Sequence, residues 1–318
     1  MDLCQYQAQK PFSQKHMLYI QEYTSDEICQ ILSLALDLKQ KQKQGLPHPY
    51  LQGKTLGLIF AKSSTRTRVS FEIGIRQLGG YGIFLNSADI QLGRGETIED
   101  TARVLSRYVD GIMIRTFKQS DVDALAEYGS IPIINGLTDF LHPCQILADL
   151  MTIYEHKGTL KGLKLAFIGD GNNVANTLLI GCSKMGMDIS IGCPEQYKPD
   201  AAAIQWAQEN AVKSGSCIII TQDPMKAIQN ADVVYTDVWT SMGQEKEAMD
   251  RCSILSSYQV NEKLFENAHK DAIFLHCLPA HRGEEVTTGI IDSPRSVVFD
   301  EAENRLHAQK AIMVLLMK

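Results

Sequence analysis

At 318 residues, 44% hydrophobic and 21% charged, the chain has a globular composition and room for two domains of roughly 150 residues. A net charge of -6 with acids and bases interspersed argues against a nucleic-acid partner. No apolar run approaches the ~18 residues that cross a bilayer, and "MDLCQYQAQKPFSQKHMLY" has no basic region leading into an apolar core, so a cytoplasmic protein without a membrane partner is expected.

In chain order, "SDEICQILSLALDLKQKQKQG" predicts a helix capped by Ser25, with Ile28, Ile31, Leu32, Ala35 and Leu38 at helical spacing and Gly45 as its stop. "KTLGLIF" predicts a buried strand, followed by a helix through Val69, Ile73 and Leu78. "GGYGIFLN", "DGIMIRTF" and "SIPIINGLTD" are further strands, with the helical "ETIEDTARVLSRYV" between the first two. "HPCQILADLMTIYEHKG" predicts a long helix, after which the alternation starts again with "LKLAFIGDGNNVANTLLIGCSKMG" as strand, turn and helix. "MDISIGCP", "SCIIITQD", "ADVVYTDVW" and "AIFLHCLP" continue as strands, and "EAENRLHAQKAIMVLLMK" closes as a helix. Strand and helix alternate throughout, which predicts an α/β chain with parallel sheets covered on both faces and two halves sharing a cleft. The eight cysteines include no C-x-x-C pair, so reduced thiols are expected, with neither a disulfide scaffold nor a metal site.

The stretch "LGLIFAKSSTRTRVSFE" concentrates hydroxyls and arginines where a strand gives way to a helix. A helix N-terminus leaves backbone N–H groups unpaired and attracts anions. Ser64, Thr65 and Thr67 add hydroxyl donors, and Arg66 adds a guanidinium fork that matches phosphate oxygens. Arg68 points to nearly the opposite side and lies four residues before Glu72, the spacing of a surface ion pair. The plainer alternative is a helix cap rich in Ser and Thr. Without a G-x-x-x-x-G-K pattern, the stretch does not imply a nucleoside triphosphate.

Three more segments follow in order: "HPCQILADL", "DVWTSMGQE" and "HCLPAHRGEEV". Together with "SSTRTRVSFE" and the tail "SPRSVVFDEAENRLHAQKA", they make the chain resemble the aspartate/ornithine carbamoyltransferase family, and closely its ornithine branch, over nearly its whole length. The resemblance implies two doubly wound parallel-sheet domains sharing an active-site cleft. Residues 1–148 with the C-terminal helix 304–318 would bind carbamoyl phosphate, and 149–303 would bind ornithine. It also implies a homotrimer or a multiple of trimers, no cofactor, and a place in arginine biosynthesis.

Carried over by position, Ser64, Thr65, Arg66 and Thr67 would hold the phosphate of carbamoyl phosphate. Arg115 and His142 would reach its carbamoyl end, with Gln145 accepting from the amide. Gln91 would reach into a neighbouring subunit's site. For ornithine, Asn173, Asp237, Ser241 and Met242 would hold the α-amino and α-carboxylate groups. Cys277 and Leu278 would flank the δ-amine, and Arg305 would complete the acceptor site. Carbamoyl transfer develops negative charge on a carbonyl oxygen, so preorganised donors there lower the barrier most. Arg66, Arg115 and His142, with Cys277, are therefore the expected catalytic residues. Two readings of Cys277 stand, a proton relay to Asp237 and a small wall beside the δ-amine. His276 and His281 are expected to be structural or to support the residues that touch substrate.

Two rival classes remain at this point. "GDGNNV" has Gly169 and Gly171 of the dinucleotide fingerprint, but Val174 stands at its third glycine. A binding protein on the same fold would be expected to lack Arg66, Arg115, His142 and Cys277, which are all present. Within the family, the S-M-G loop and H-C-L-P favour ornithine over aspartate and putrescine.

Overall fold

The computed structural model describes residues 2–91, 95–240 and 247–318. The chain divides into two compact units, 1–151 with 303–318, and 152–302.

The first unit begins with α1 (Ser25–Lys43), β1 (Thr55–Phe60), α2 (Thr65–Gln77), β2 (Tyr81–Asn86) and α3 (Ile98–Leu105). It continues with β3 (Gly111–Arg115), α4 (Gln119–Tyr128), β4 (Ile133–Leu137) and the start of α5 (Pro143–Lys157). The cap of α1 lies one residue earlier than the sequence reading has it. Thr24 Oγ1 accepts from Glu27 N at 3.1 Å, and Glu27 Oε2 accepts from Thr24 N at 2.9 Å. This reciprocal pair satisfies two backbone donors at once, which Ser25 does not do. The four strands are parallel in the order β2-β1-β3-β4. β1 sits in the middle, and Leu56, Leu58 and Ile59 are fully buried. β2 is an edge strand, with Tyr81, Ile83 and Phe84 exposed.

The second unit contains β5 (Lys164–Ile168), α6 (Asn173–Met185), β6 (Asp188–Gly192), α7 (Ala201–Ser214), β7 (Ile218–Thr221) and α8 (Pro224–Ile228). β8 (Val233–Tyr235), α9 (Ala248–Leu255), α10 (Glu262–Phe265), β9 (Ile273–Leu275) and α11 (Thr288–Ile291) follow. Its parallel order is β7-β6-β5-β8-β9. β6 and β7 lie to one side of β5 and β8 and β9 to the other, and the right-handed crossovers that are the rule for parallel strands then put helices on both faces. α4 and α7 are crossover helices that the segment reading above leaves blank.

The last helix, α12 (Val298–Met317), begins in the second unit and ends in the first. Gly74 on α2 makes room for it, since a Cβ there would stand 2.9 Å from Met313 Cε and 3.3 Å from Lys310 Cγ. Lys310 is fully buried. Its ammonium donates to Gln42 Oε1 at 2.8 Å, Gln77 Oε1 at 2.9 Å and His48 Nε2 at 3.3 Å, so each of its protons has an acceptor. Burial pushes its pKa down to about 8.

Candidate active site

In open parallel sheets, ligands sit beyond the carboxyl ends of strands where the winding reverses. In the first unit that point lies between β1 and β3. Phe60 is in register with Arg115, so the turn after β1 and the last residue of β3 stand side by side. Lys62 is buried there against Asp139, with its ammonium 4.2 Å from the Phe117 ring, which ties together the loops that follow β1, β3 and β4.

Ser64 is the N-cap of α2, its hydroxyl oxygen accepting from Thr67 N at 3.2 Å. The cap and anion readings are compatible, because a hydroxyl that accepts through oxygen still has a proton to give. Thr67 is buried, and its oxygen accepts from Arg305 Nη2 at 3.2 Å and Arg115 Nη1 at 3.5 Å. With two guanidinium groups on its lone pairs, its own O–H is left to donate. Thr65 is exposed and Arg66 half-buried at the same helix start. Arg68 instead pairs with Glu72 at 3.0 Å, as its spacing predicts.

His142 is buried just before α5. Burial, reinforced by the charges of Arg305, Arg115 and Arg66, holds its pKa well below the ordinary histidine range. The imidazole is therefore neutral at physiological pH and presents one N–H and one lone pair. Gln145, also buried, accepts from Arg305 Nη1 at 2.6 Å and donates through Nε2 to Asp149 at 2.8 Å. Arg305, which the resemblance gives to the acceptor, lies in the first unit and bonds to Thr67 and Gln145. Its Nε is buried without a hydrogen-bond partner among the described residues.

The second unit repeats the logic with the opposite chemistry. Phe167, Tyr235 and Leu275 are level across β5, β8 and β9, so the segments just beyond these strands share one edge. Asp237 Oδ1 accepts from Cys277 Sγ at 3.0 Å, and Oδ2 accepts from Asn172 Nδ2 at 2.7 Å. Asn172 is also the N-cap of α6, its oxygen accepting from Val174 N at 2.9 Å and Ala175 N at 3.2 Å. One amide thus fixes both the helix start and the carboxylate. Asn173, the expected ligand residue, is the first residue of α6 and half-buried.

Residues 15–155 match the family described as "Aspartate/ornithine carbamoyltransferase, carbamoyl-P binding domain". Residues 161–316 match its "Asp/Orn binding domain". The chain belongs to the aspartate/ornithine carbamoyltransferase family. It is 58% identical over 303 residues to "Ornithine carbamoyltransferase" of Thermococcus kodakarensis, covering 95% of this chain and 96% of the relative. It is 57% identical over 303 residues, with the same coverage, to "Ornithine carbamoyltransferase, anabolic" of Pyrococcus furiosus. Among solved structures, the ornithine carbamoyltransferase of Pyrococcus furiosus superposes with a TM-score of 0.94 at 56% identity, over 97% of this chain and 98% of that one. The anabolic enzyme of Campylobacter jejuni gives 0.90 at 41% identity, over 95% and 99%.

In the Asp/Orn binding part of this family member, Leu278 has a φ of +55 and precedes a cis peptide bond to Pro279. Its N–H donates to His276 Nδ1 at 2.9 Å. His276 therefore carries its proton on Nε2, which meets Glu285 Oε1 at 3.1 Å, both side chains being fully buried. Asp237, His276 and Cys277 bring atoms of metal-ligand type within 4.8 Å of one another. Both His276 nitrogens are committed, however, so only a thiol and a carboxylate are offered. Ser241 and Met242 lie outside the described residues. The backbone leading to them is anchored by Arg251, which donates to Trp239 O at 2.6 Å and to Asp170. Burial pushes Asp170 up to about 7 against the pull of Arg251, with Asp237 adding to the rise.

Gly171 speaks against a dinucleotide at this turn. A Cβ there would stand 2.3 Å from Pro199 N and 2.5 Å from Tyr197 O, and its N–H donates to Tyr197 O at 2.8 Å. The space that a pyrophosphate needs is occupied by the protein's own backbone. Gln91 is exposed beside the undescribed 92–94. Asn172 and Arg251 are missing from the sequence reading. An N-cap asparagine before an apolar helix is a signal that finds the first, whereas Arg251 is separated by 81 residues from its partner Asp170.

Proposed function

We propose that the chain is an ornithine carbamoyltransferase: it transfers the carbamoyl group of carbamoyl phosphate to the δ-amine of L-ornithine, giving L-citrulline and phosphate. The observation that carries this reading is the meeting of the Arg115 and Arg305 guanidinium groups at the buried Thr67 hydroxyl in the first turn of α2, with the charges of Arg305, Arg115 and Arg66 all felt at the buried His142. The phosphate would lie on the first N–H groups of α2 and the hydroxyls of Ser64, Thr65 and Thr67, with Arg66 across its oxygens. Arg115, Arg305 and the His142 N–H would face the carbonyl oxygen, and Gln145 the carbamoyl amide. The neutral δ-amine attacks the carbonyl carbon, charge collects on that oxygen, and the C–O bond to phosphate breaks. The departing phosphate takes the proton released from nitrogen, so no dedicated base is required.

On the acceptor side, Asp237 and Cys277 offer a carboxylate and a thiol to amino groups, and Asn173 an amide. Ser241, Met242 and Leu278 complete this assignment by position. The S-M-G sequence supports ornithine, because putrescine has no α-carboxylate for such a loop to hold. The relatives' names support the same choice, and "anabolic" in the Pyrococcus furiosus name supports a role in arginine biosynthesis.

A trimer is proposed as well. The β2 edge and α2 expose Val69, Ile73, Tyr81, Ile83 and Phe84, an apolar group of the kind that subunit contacts cover. Gln91 would enter a neighbour's site from the segment after β2. Among the described residues no helix is long and apolar enough to cross a membrane. A cytoplasmic location is part of the proposal. The deciding experiment is citrulline formation by pure protein from carbamoyl phosphate and ornithine, with aspartate and putrescine as alternative acceptors. Turnover with ornithine far above the other two is expected. No citrulline above background, or equal use of putrescine, overturns the reading.

A further inference from the structure

Gln145 and Asp149 lie four residues apart on α5, hence on one face of the helix. Asp149 is fully buried and Gln145 nearly so. The Gln145 amide is held from both ends, with Nε2 donating to Asp149 Oδ1 at 2.8 Å and Oε1 accepting from Arg305 Nη1 at 2.6 Å. A carboxylate only accepts and a guanidinium only donates. A flipped amide would set oxygen against carboxylate and NH2 against guanidinium, two repulsive contacts in a buried site. Only one orientation of Gln145 is compatible with these neighbours. Arg305 is then held at a second point by Thr67, the hydroxyl that also receives Arg115. The chain of contacts runs from Asp149 through Gln145 and Arg305 to the start of α2.

We propose that Asp149 is a positioning residue for carbamoyl transfer: by fixing the Gln145 amide it presents Oε1 to Arg305 and to the carbamoyl NH2, and so aims Arg305. The inference rests on the donor site proposed above. A carbonyl oxygen has two lone pairs, so Gln145 can accept from Arg305 and from the substrate together.

The test uses Asp149→Asn, Gln145→Glu and the double variant, each assayed for kcat, for KM of carbamoyl phosphate at saturating ornithine and for KM of ornithine at saturating carbamoyl phosphate, with unfolding midpoints alongside. Citrulline formation by the parent checks the donor-site reading independently of the variants. Asp149→Asn loses the charge and the fixed direction and is expected to drop kcat/KM for carbamoyl phosphate by roughly tenfold or more. Gln145→Glu sets its own carboxylate against that of Asp149 and is expected to lose more. In the double variant donor and acceptor exchange places, leaving an oxygen toward Arg305, and kcat/KM should recover at least about tenfold over Gln145→Glu. Parent-like kcat/KM in Asp149→Asn overturns the proposal. So does a double variant no better than its worse single, or a loss confined to the KM for ornithine.

Discussion

The two units place their functional groups by the same rule and with opposite polarity. In the first, strand ends and a helix start gather donors: three arginines, the α2 N–H groups, the Ser64 and Thr67 hydroxyls and a neutral histidine. In the second, the matching strand ends gather acceptors: Asp237 and the sulfur of Cys277, with Asn172 and Arg251 behind them. A doubly charged acyl phosphate and the amino groups of a diamino acid, the substrates proposed above, would call for these two sets. One architecture can serve either ligand, because the parallel sheet fixes only where side chains meet, while residue type fixes what they bind.

That contrast can be broken experimentally. The largest effect is expected on the donor side, where Arg115→Met should lower kcat by roughly 10²–10³-fold, as removal of one oxyanion donor does elsewhere. A loss confined to the ornithine KM would undo the polarity assigned to the two units. Next, Asp237→Asn should raise the KM for ornithine by roughly tenfold or more, with the KM for carbamoyl phosphate changed little. Cys277→Ser should move the same way and less. Mass spectrometry of the parent during turnover should find no thioester on Cys277; finding one would make that sulfur a nucleophile.

Gly171→Ala sharpens the comparison from the structural side, since its Cβ would fall 2.3 Å from Pro199 N. The cost should be about 1–3 kcal/mol, read as a lower denaturant midpoint. An unchanged midpoint would mean that the turn yields and has room for a ligand. The smallest effect concerns pH. Burial, helped by Lys310, Lys39, Lys43 and His48, pushes His307 down to about 3. Between its ordinary value and that one, the unfolded chain binds a proton that the folded chain does not. Stability therefore falls as pH drops through this window. His307→Leu should flatten the decline in unfolding midpoint between pH 7 and pH 5, and an equal slope in parent and variant would refute the assignment.

The sequence makes local devices legible. The anion site proposed at Ser64–Thr67 follows from one strand, one turn and one helix start, and the Arg68–Glu72 pair follows from spacing alone. Contacts across long separations are not legible in this way. Arg305 lies 238 residues from Thr67, and the resemblance alone, not the pattern of "AENR", assigns its helix to the first half of the chain. His276 looks like a core residue in isolation and proves to hold the Leu278 N–H, because β9 ends beside the segment that carries Glu285. The cap of α1 slips by one residue since Thr24 and Ser25 are chemically near-equivalent, and only the reach of Glu27 separates them.

Lys310 offers a use that its role in packing does not advertise. With every N–H engaged and no exposed surface, its amine is shielded from acylating reagents while the first unit is intact. Any label it acquires must come from molecules that have opened around α12. The rate of that labelling would time how often this end of the protein comes apart under native conditions.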